Sequence, residues 1–105
     1  MAAPTIEMYA TSWCGYCERA RQLLQRKGAA YTEISIEGDS ARRAEMIERS
    51  GRRTVPQIFI GERHIGGSDE LAELDRSGAL DALLAGQRDG GSFTSEATQL
   101  KEDQR

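Results

Sequence analysis

The sequence predicts an α/β domain built on a four-stranded mixed sheet, flanked by helices on both faces. Three observations lead there. Strand-like and helix-like periodicities alternate along the chain in the order β-α-β-α-β-β-α. The first two strand patterns are joined through a helix pattern, which makes them parallel in a right-handed βαβ unit. The last two strand patterns are separated only by Gly61-Glu62, a loop length that makes a hairpin and therefore an antiparallel pair. A chain of 105 residues suffices for one such domain with one modest core.

Ile6-Glu7-Met8-Tyr9 reads as the first strand, and residues 10–13 as a loop. A helix begins between Ser12 and Cys14 and runs to Lys27, because Tyr16, Ala20, Leu23, Leu24 and Lys27 recur at steps of three and four. Gly28 follows and can take the left-handed conformation that ends a helix. Tyr31 to Ile36 alternates and is rich in β-formers, a second strand. Asp39 or Ser40 caps a second helix reaching about Ser50, with Ala44 and Ile47 as its buried stripe and Gly51 as its stop. Gln57-Ile58-Phe59-Ile60 is the third strand and Arg63-His64-Ile65 the fourth. Gly66-Gly67-Ser68 opens a helix carrying Leu71 and Leu74; Gly78 breaks it, and Leu80, Leu83 and Leu84 form a last apolar face. The composition then changes. Residues 1–85 form the predicted domain, and residues 86–105, polar with Gly90-Gly91 and only Phe93 and Leu100 as large apolar groups, read as a mobile tail or weakly docked helix.

Bulk properties exclude several functions. Charged residues make up 30% of the chain, yet the net charge is −3 and the basic clusters are pairs, Arg42-Arg43 and Arg52-Arg53. No basic field exists to hold nucleic acid or a membrane surface. No apolar run approaches the ~20 residues of a membrane helix. The N-terminus has no charged region followed by an apolar one, so a cytoplasmic location is expected.

Chemistry concentrates in Trp13-Cys14-Gly15-Tyr16-Cys17, which holds both cysteines two residues apart where a strand pattern gives way to a helix pattern. On one helical turn the two sulfurs can form a reversible disulfide. The same spacing can supply half a zinc site, but such a site wants a second pair of ligands, and the chain offers no further cysteine and a single histidine, His64. The redox reading is preferred, and in a reducing compartment it implies a transient, catalytic pair. Cys14 precedes or begins a helix, so free backbone N–H groups and the positive end of the helix dipole face its sulfur and stabilise the thiolate, the reactive form. Cys17 sits one turn inside. Cys14 is therefore assigned as nucleophile and Cys17 as resolving thiol. For a cysteine in such a motif whose pKa falls from about 8.5 to about 5, the thiolate fraction at pH 7 rises about thirtyfold, while intrinsic nucleophilicity falls by a similar factor. The larger gain is as a leaving group, which suits an exchange catalyst.

Cys14-Gly15-Tyr16-Cys17, then Thr54-Val55-Pro56-Gln57-Ile58-Phe59-Ile60, then Gly66-Gly67-Ser68-Asp69 resemble the bacterial dithiol glutaredoxins from about Thr5 to Leu84. The resemblance implies a thioredoxin-like fold and reduction of disulfides with glutathione. It implies a cis bond before Pro56, with the Val55 backbone facing the substrate sulfur and pairing with the central cysteine of glutathione. It places Thr11, Tyr16, Arg53, Thr54, Val55, Pro56, Gly67, Ser68 and Asp69 around glutathione. Thr11 stands where many members carry lysine, so Arg53, or less directly Arg43, is expected to meet a glutathione carboxylate. The first turn after Gly67 offers the Ser68 and Asp69 N–H groups to the γ-glutamyl carboxylate, with the Asp69 side chain accepting from the ammonium; a plain cap at Ser68 is the simpler alternative. Tyr16 lines the groove beside the sulfur. Trp13 reads equally as an apolar rim or as exposure without function, and His64 as an ordinary satisfied histidine.

The resulting expectation is a monomeric glutathione-dependent thiol–disulfide oxidoreductase, acting on glutathionylated or disulfide-bonded proteins, with glutathione as co-substrate and no permanently bound cofactor or metal. The alternative is a [2Fe–2S] carrier or sensor in which Cys14 and glutathione hold a cluster between two subunits; Gly15, where many dithiol members have proline, keeps it open.

Overall fold

The computed structural model describes residues 4–88, with side chains to residue 85. Its elements are β1 (Ile6–Ala10), α1 (Gly15–Arg26), β2 (Thr32–Ser35), α2 (Ser40–Ser50), β3 (Gln57–Ile60), β4 (Arg63–Gly66), α3 (Ser68–Ser77) and α4 (Ala79–Arg88). The four strands form one mixed sheet in the order β2-β1-β3-β4. β1 runs parallel to β2 and antiparallel to β3, and β3 pairs antiparallel with β4. The expected mixed sheet, βαβ unit and hairpin are all present.

Strand alternation sorts the core into two layers. Ile6, Met8 and Ala10 of β1, with Ile58 and Ile60 of β3, face Cys17, Ala20, Leu23 and Leu24 of α1, Leu71 of α3, and Leu80 and Leu84 of α4. Tyr9 and Phe59 point to the other face and pack with Ile36 and Met46 of α2. That second layer has a polar seal. The buried Tyr9 hydroxyl donates to Glu45 and accepts from Arg49 Nη1 at 2.8 Å, and the Arg49 guanidinium lies 4.1 Å from the Phe59 ring centre. On the first face, Lys27 Nζ bridges Asp75 at 2.7 Å and Asp81 at 3.1 Å, tying the end of α1 to α3 and α4.

Local signals end the helices. Asp39 caps α2, its carboxylate accepting from Arg42 N–H at 3.0 Å, and Gly51 ends it at φ 74°. Several expectations need correction. Ala44 is exposed, and Met46 fills the core from α2, with Ile47 packed partly against it. Tyr16 stands off the buried face of α1, and Cys17 takes the inward position. β2 is shorter at both ends than Tyr31 to Ile36. Gly78 divides two helices, so the chain adds α4 to the expected order, and α4 continues past residue 85 to Arg88. The expected tail beyond that point lies outside the described residues.

The corrected stripe of α2 is testable by urea unfolding. Met46→Ala is expected to lower stability by about 2–5 kcal/mol, and Ala44→Ser to stay within about 0.5 kcal/mol. The reverse ranking would contradict the packing.

Candidate active site

The site grows from the end of β1. The Thr11-Ser12-Trp13 loop turns the chain from the sheet into α1, and Glu37 holds it from the β2–α2 connection by accepting from Ser12 N–H at 3.2 Å and Ser12 Oγ at 2.8 Å. Cys14 then occupies the N-cap position, extended at φ −99° and ψ 120°. Its sulfur does what a serine or aspartate oxygen does at an ordinary cap: it accepts from Cys17 N–H at 3.3 Å. Cys14 Sγ also donates to the Val55 carbonyl at 3.6 Å, which joins α1 to the segment before β3. Both cysteines are free thiols; Cys14 is half-buried and Cys17 fully buried.

The two sulfurs thus sit in different media. Burial pushes the Cys17 thiol up to about 11, the adjacent Cys14 adds to the rise, and a backbone hydrogen bond from Thr11 and the charge of Arg21 partly oppose it. Arg21 is itself spent in a network. It donates to Glu33 at 2.7 and 2.8 Å and to the Thr11 carbonyl at 3.0 Å.

A groove of about 310 Å³ opens beside Cys14. Tyr16 forms one wall, Thr54-Val55-Pro56 the floor, and Gly67, Ser68, Asp69 and Glu70 the far end, with Arg52 at its edge. The Val55–Pro56 bond is cis, as the resemblance implied. Gly67, not Ser68, is the N-cap of α3, so Ser68 and Asp69 are its first two residues and their N–H groups have no carbonyl of the preceding turn to bond. Gly66 must be glycine. Its φ is 118°, and a Cβ there would lie 2.9 Å from Glu70 Oε1.

The structure therefore brings together Tyr16, Thr54, Val55, Pro56, Gly67, Ser68 and Asp69; Cys14 is outside this lining and meets it through its contact with the Val55 carbonyl. It leaves two expected residues out of the groove lining. Thr11 is half-buried, with its backbone engaged by Cys17 and Arg21, and Arg53 is exposed. The groove cation is Arg52. Arg52 lines the groove with Thr54, and its neighbour Arg53 does not. Glu70 was also missed. Its Oε1 accepts from Gly67 N–H at 2.7 Å, the main reason its carboxyl lies below the usual range, and pairs with Arg52 Nη1 at 3.6 Å. A carboxylate three residues after a cap was the readable signal. His64 is satisfied by Gln57 Oε1 at 2.7 Å and stacks 4.9 Å from Phe59. Among the described residues no cluster of three or more His, Cys, Asp or Glu side chains is arranged to hold a metal ion.

The pH dependence follows from Cys17. Its folded pKa lies above its unfolded value, so its contribution to stability is complete below about pH 8.5 and is lost as pH rises through about 11. Chemical denaturation is expected to show wild type losing more stability across that window than Cys17→Ala. Equal losses would contradict the burial of the neutral thiol.

Comparison with known proteins agrees with this geometry. The glutaredoxin family profile matches residues 6–65. A glutaredoxin of Pseudomonas aeruginosa is 54% identical over 82 residues, covering 78% of this chain and 98% of that one. Glutaredoxin 3 of Escherichia coli is 54% identical over 79 residues, covering 75% and 95%. Among solved structures, the buckwheat glutaredoxin–glutathione complex superposes with a TM-score of 0.73 at 35% identity, covering 78% of this chain and 77% of that one. The Brucella melitensis glutaredoxin gives 0.69 at 49% identity, covering 79% and 91%. With its cysteine pair at the mouth of the first helix and these relatives along most of its length, the chain belongs to the glutaredoxin family of thiol–disulfide oxidoreductases.

Proposed function

We propose that this glutaredoxin draws its electrons from glutathione and removes glutathione from protein mixed disulfides through Cys14. One observation carries the reading. The sulfur that caps α1 lies 3.6 Å from the carbonyl of Val55, a residue that lines the same groove as the first turn of α3. A thiolate there keeps the N–H of Cys17 and the positive helix end as partners. The groove then offers a place for each part of the tripeptide. The cysteinyl unit lies along the Val55 backbone. The γ-glutamyl carboxylate meets the Ser68 and Asp69 N–H groups, and its ammonium meets the exposed Asp69 carboxylate. The glycyl carboxylate meets Arg52. The buckwheat relative was solved as a glutathione complex, which supports this use of the groove.

The exchange needs no external oxidant. The Cys14 thiolate attacks the glutathione sulfur of a protein–glutathione disulfide. The protein sulfur leaves as a thiolate and takes a proton, and Cys14 is left bonded to glutathione. A second glutathione thiolate attacks the glutathione sulfur, forms glutathione disulfide and releases the Cys14 thiolate. With an intramolecular protein disulfide, Cys14 bonds to the protein instead. Cys17 then attacks the Cys14 sulfur, its proton passing to the departing protein thiolate, and two glutathiones later reduce the Cys14–Cys17 disulfide. Cys17 pays for its burial in this route. Burial holds Cys17 as the neutral thiol, so its attack on the Cys14 sulfur is coupled to loss of its proton. A catalytic pair of this kind suits the reducing cytoplasm.

Steady-state assays test the roles. Cys14→Ser is expected to lose all exchange activity; a substantial residual rate would refute the assignment. Cys17→Ser is expected to keep turnover of a small glutathione mixed disulfide within about threefold and to reduce intramolecular disulfides poorly; equal loss of both would remove the resolving role. Arg52→Ala is expected to raise the KM for glutathione about three- to tenfold, the order of one hydrogen bond's net worth of about 1 kcal/mol, and Arg53→Ala to change it less than about twofold. Asp69→Ala is expected to raise the same KM, and an unchanged value would count against the γ-glutamyl site.

A further inference from the structure

Among the described residues, the exposed large hydrophobic side chains are Trp13, 88% exposed, and Tyr16, 56% exposed. Both lie within two positions of Cys14. Single exposed apolar groups are ordinary, but here the apolar surface left uncovered gathers around the nucleophile. Tyr16 is accounted for by the groove and carries Arg19 at 5.3 Å from its ring centre. Trp13 is not part of the groove lining. Its exposure is also not looseness. Glu37 accepts two hydrogen bonds from Ser12, the residue before Trp13, which fixes the loop that carries Trp13 and holds the Glu37 carboxyl below the usual range. The backbone under the indole is held while the ring stays in water, the arrangement that makes an aromatic side chain an inexpensive docking anchor.

We infer that Trp13 is a docking anchor for polypeptide substrates, and that its occupant is the segment flanking a substrate cysteine, with an aliphatic or aromatic side chain next to that cysteine. The occupant is fixed by continuity with the reaction site. When a protein disulfide opens, the substrate sulfur is bonded to Cys14, and the residues beside it pass over the neighbouring loop, where Trp13 supplies the apolar face. Glutathione fits in the groove on the Val55 side and has no need of Trp13. The aromatic group therefore discriminates protein substrates from small mixed disulfides without entering the chemistry. Glu37 is the positioning residue behind it.

The inference rests on the exchange activity proposed above, and a paired assay separates the two. Wild type, Trp13→Ala and Trp13→Phe are compared on a disulfide-bonded peptide with leucine beside its cysteine, on the same peptide with serine there, and on a small glutathione mixed disulfide. Trp13→Ala is expected to raise the KM for the leucine peptide about five- to tenfold, the size of one interface anchor. The serine peptide and the small substrate should stay within about twofold, and Trp13→Phe should restore most of the loss. As the only tryptophan, Trp13 also reports directly: its emission should move to shorter wavelength when the leucine peptide is trapped on Cys14 in Cys17→Ser. Equal effects on all three substrates, or a trapped complex with unchanged emission, would overturn the docking role while leaving the exchange activity intact. A wild type inactive on all three substrates would overturn both.

Discussion

A single hydrogen bond organises the active end of this molecule: the N–H of Cys17 pointing at the sulfur of Cys14 across the first turn of α1. It forms because Cys14 is the N-cap of that helix, and the helix is where it is because Cys17, Ala20, Leu23 and Leu24 are buried against β1 and β3. Core packing therefore decides which cysteine faces water. The burial that holds the helix also keeps Cys17 protonated.

The groove depends on the same framework from the other side. β3 lies in the middle of the sheet beside β1, so the residues entering it, Thr54 to Pro56, are delivered to the first turn of α1. β4 and the Gly66-Gly67 turn then bring the start of α3 to the opposite rim. Glu70 ties this rim internally, taking the Gly67 N–H and pairing with Arg52. A ligand carboxylate arriving at Arg52 competes with Glu70 for the same guanidinium.

Much of this was legible in the sequence, for reasons visible in particular residues. The apolar run Ile58-Phe59-Ile60, the hairpin at Gly61-Glu62 and the stop at Gly51 are local signals that tertiary context left intact. The cysteine pair at a strand-to-helix boundary pointed to redox chemistry before any fold was known. The errors came where spacing alone cannot tell inside from outside. Ala44 was expected in the buried stripe of α2 and is exposed, while Met46, expected in the core as an apolar residue, is buried there against Tyr9 and Phe59. Tyr16 fits the period of α1, yet Cys17 fills the inward place at that turn. Arg52 and Arg53 are neighbours of the same type, and the backbone between Gly51 and Thr54 decides which reaches the groove. Glu70 was readable only in part: its place three residues after Gly67 is local, whereas its pairing with Arg52 is made by the fold.

The central claim is that the fold makes the two cysteines chemically unequal, one available and one sheltered. Alkylation of the reduced native protein at pH 7 with a limiting amount of iodoacetamide, followed by peptide mapping, tests it most directly. The account predicts modification at Cys14 with Cys17 spared until the protein is unfolded. Comparable labelling of both cysteines in the folded protein, or preferential labelling of Cys17, would contradict it.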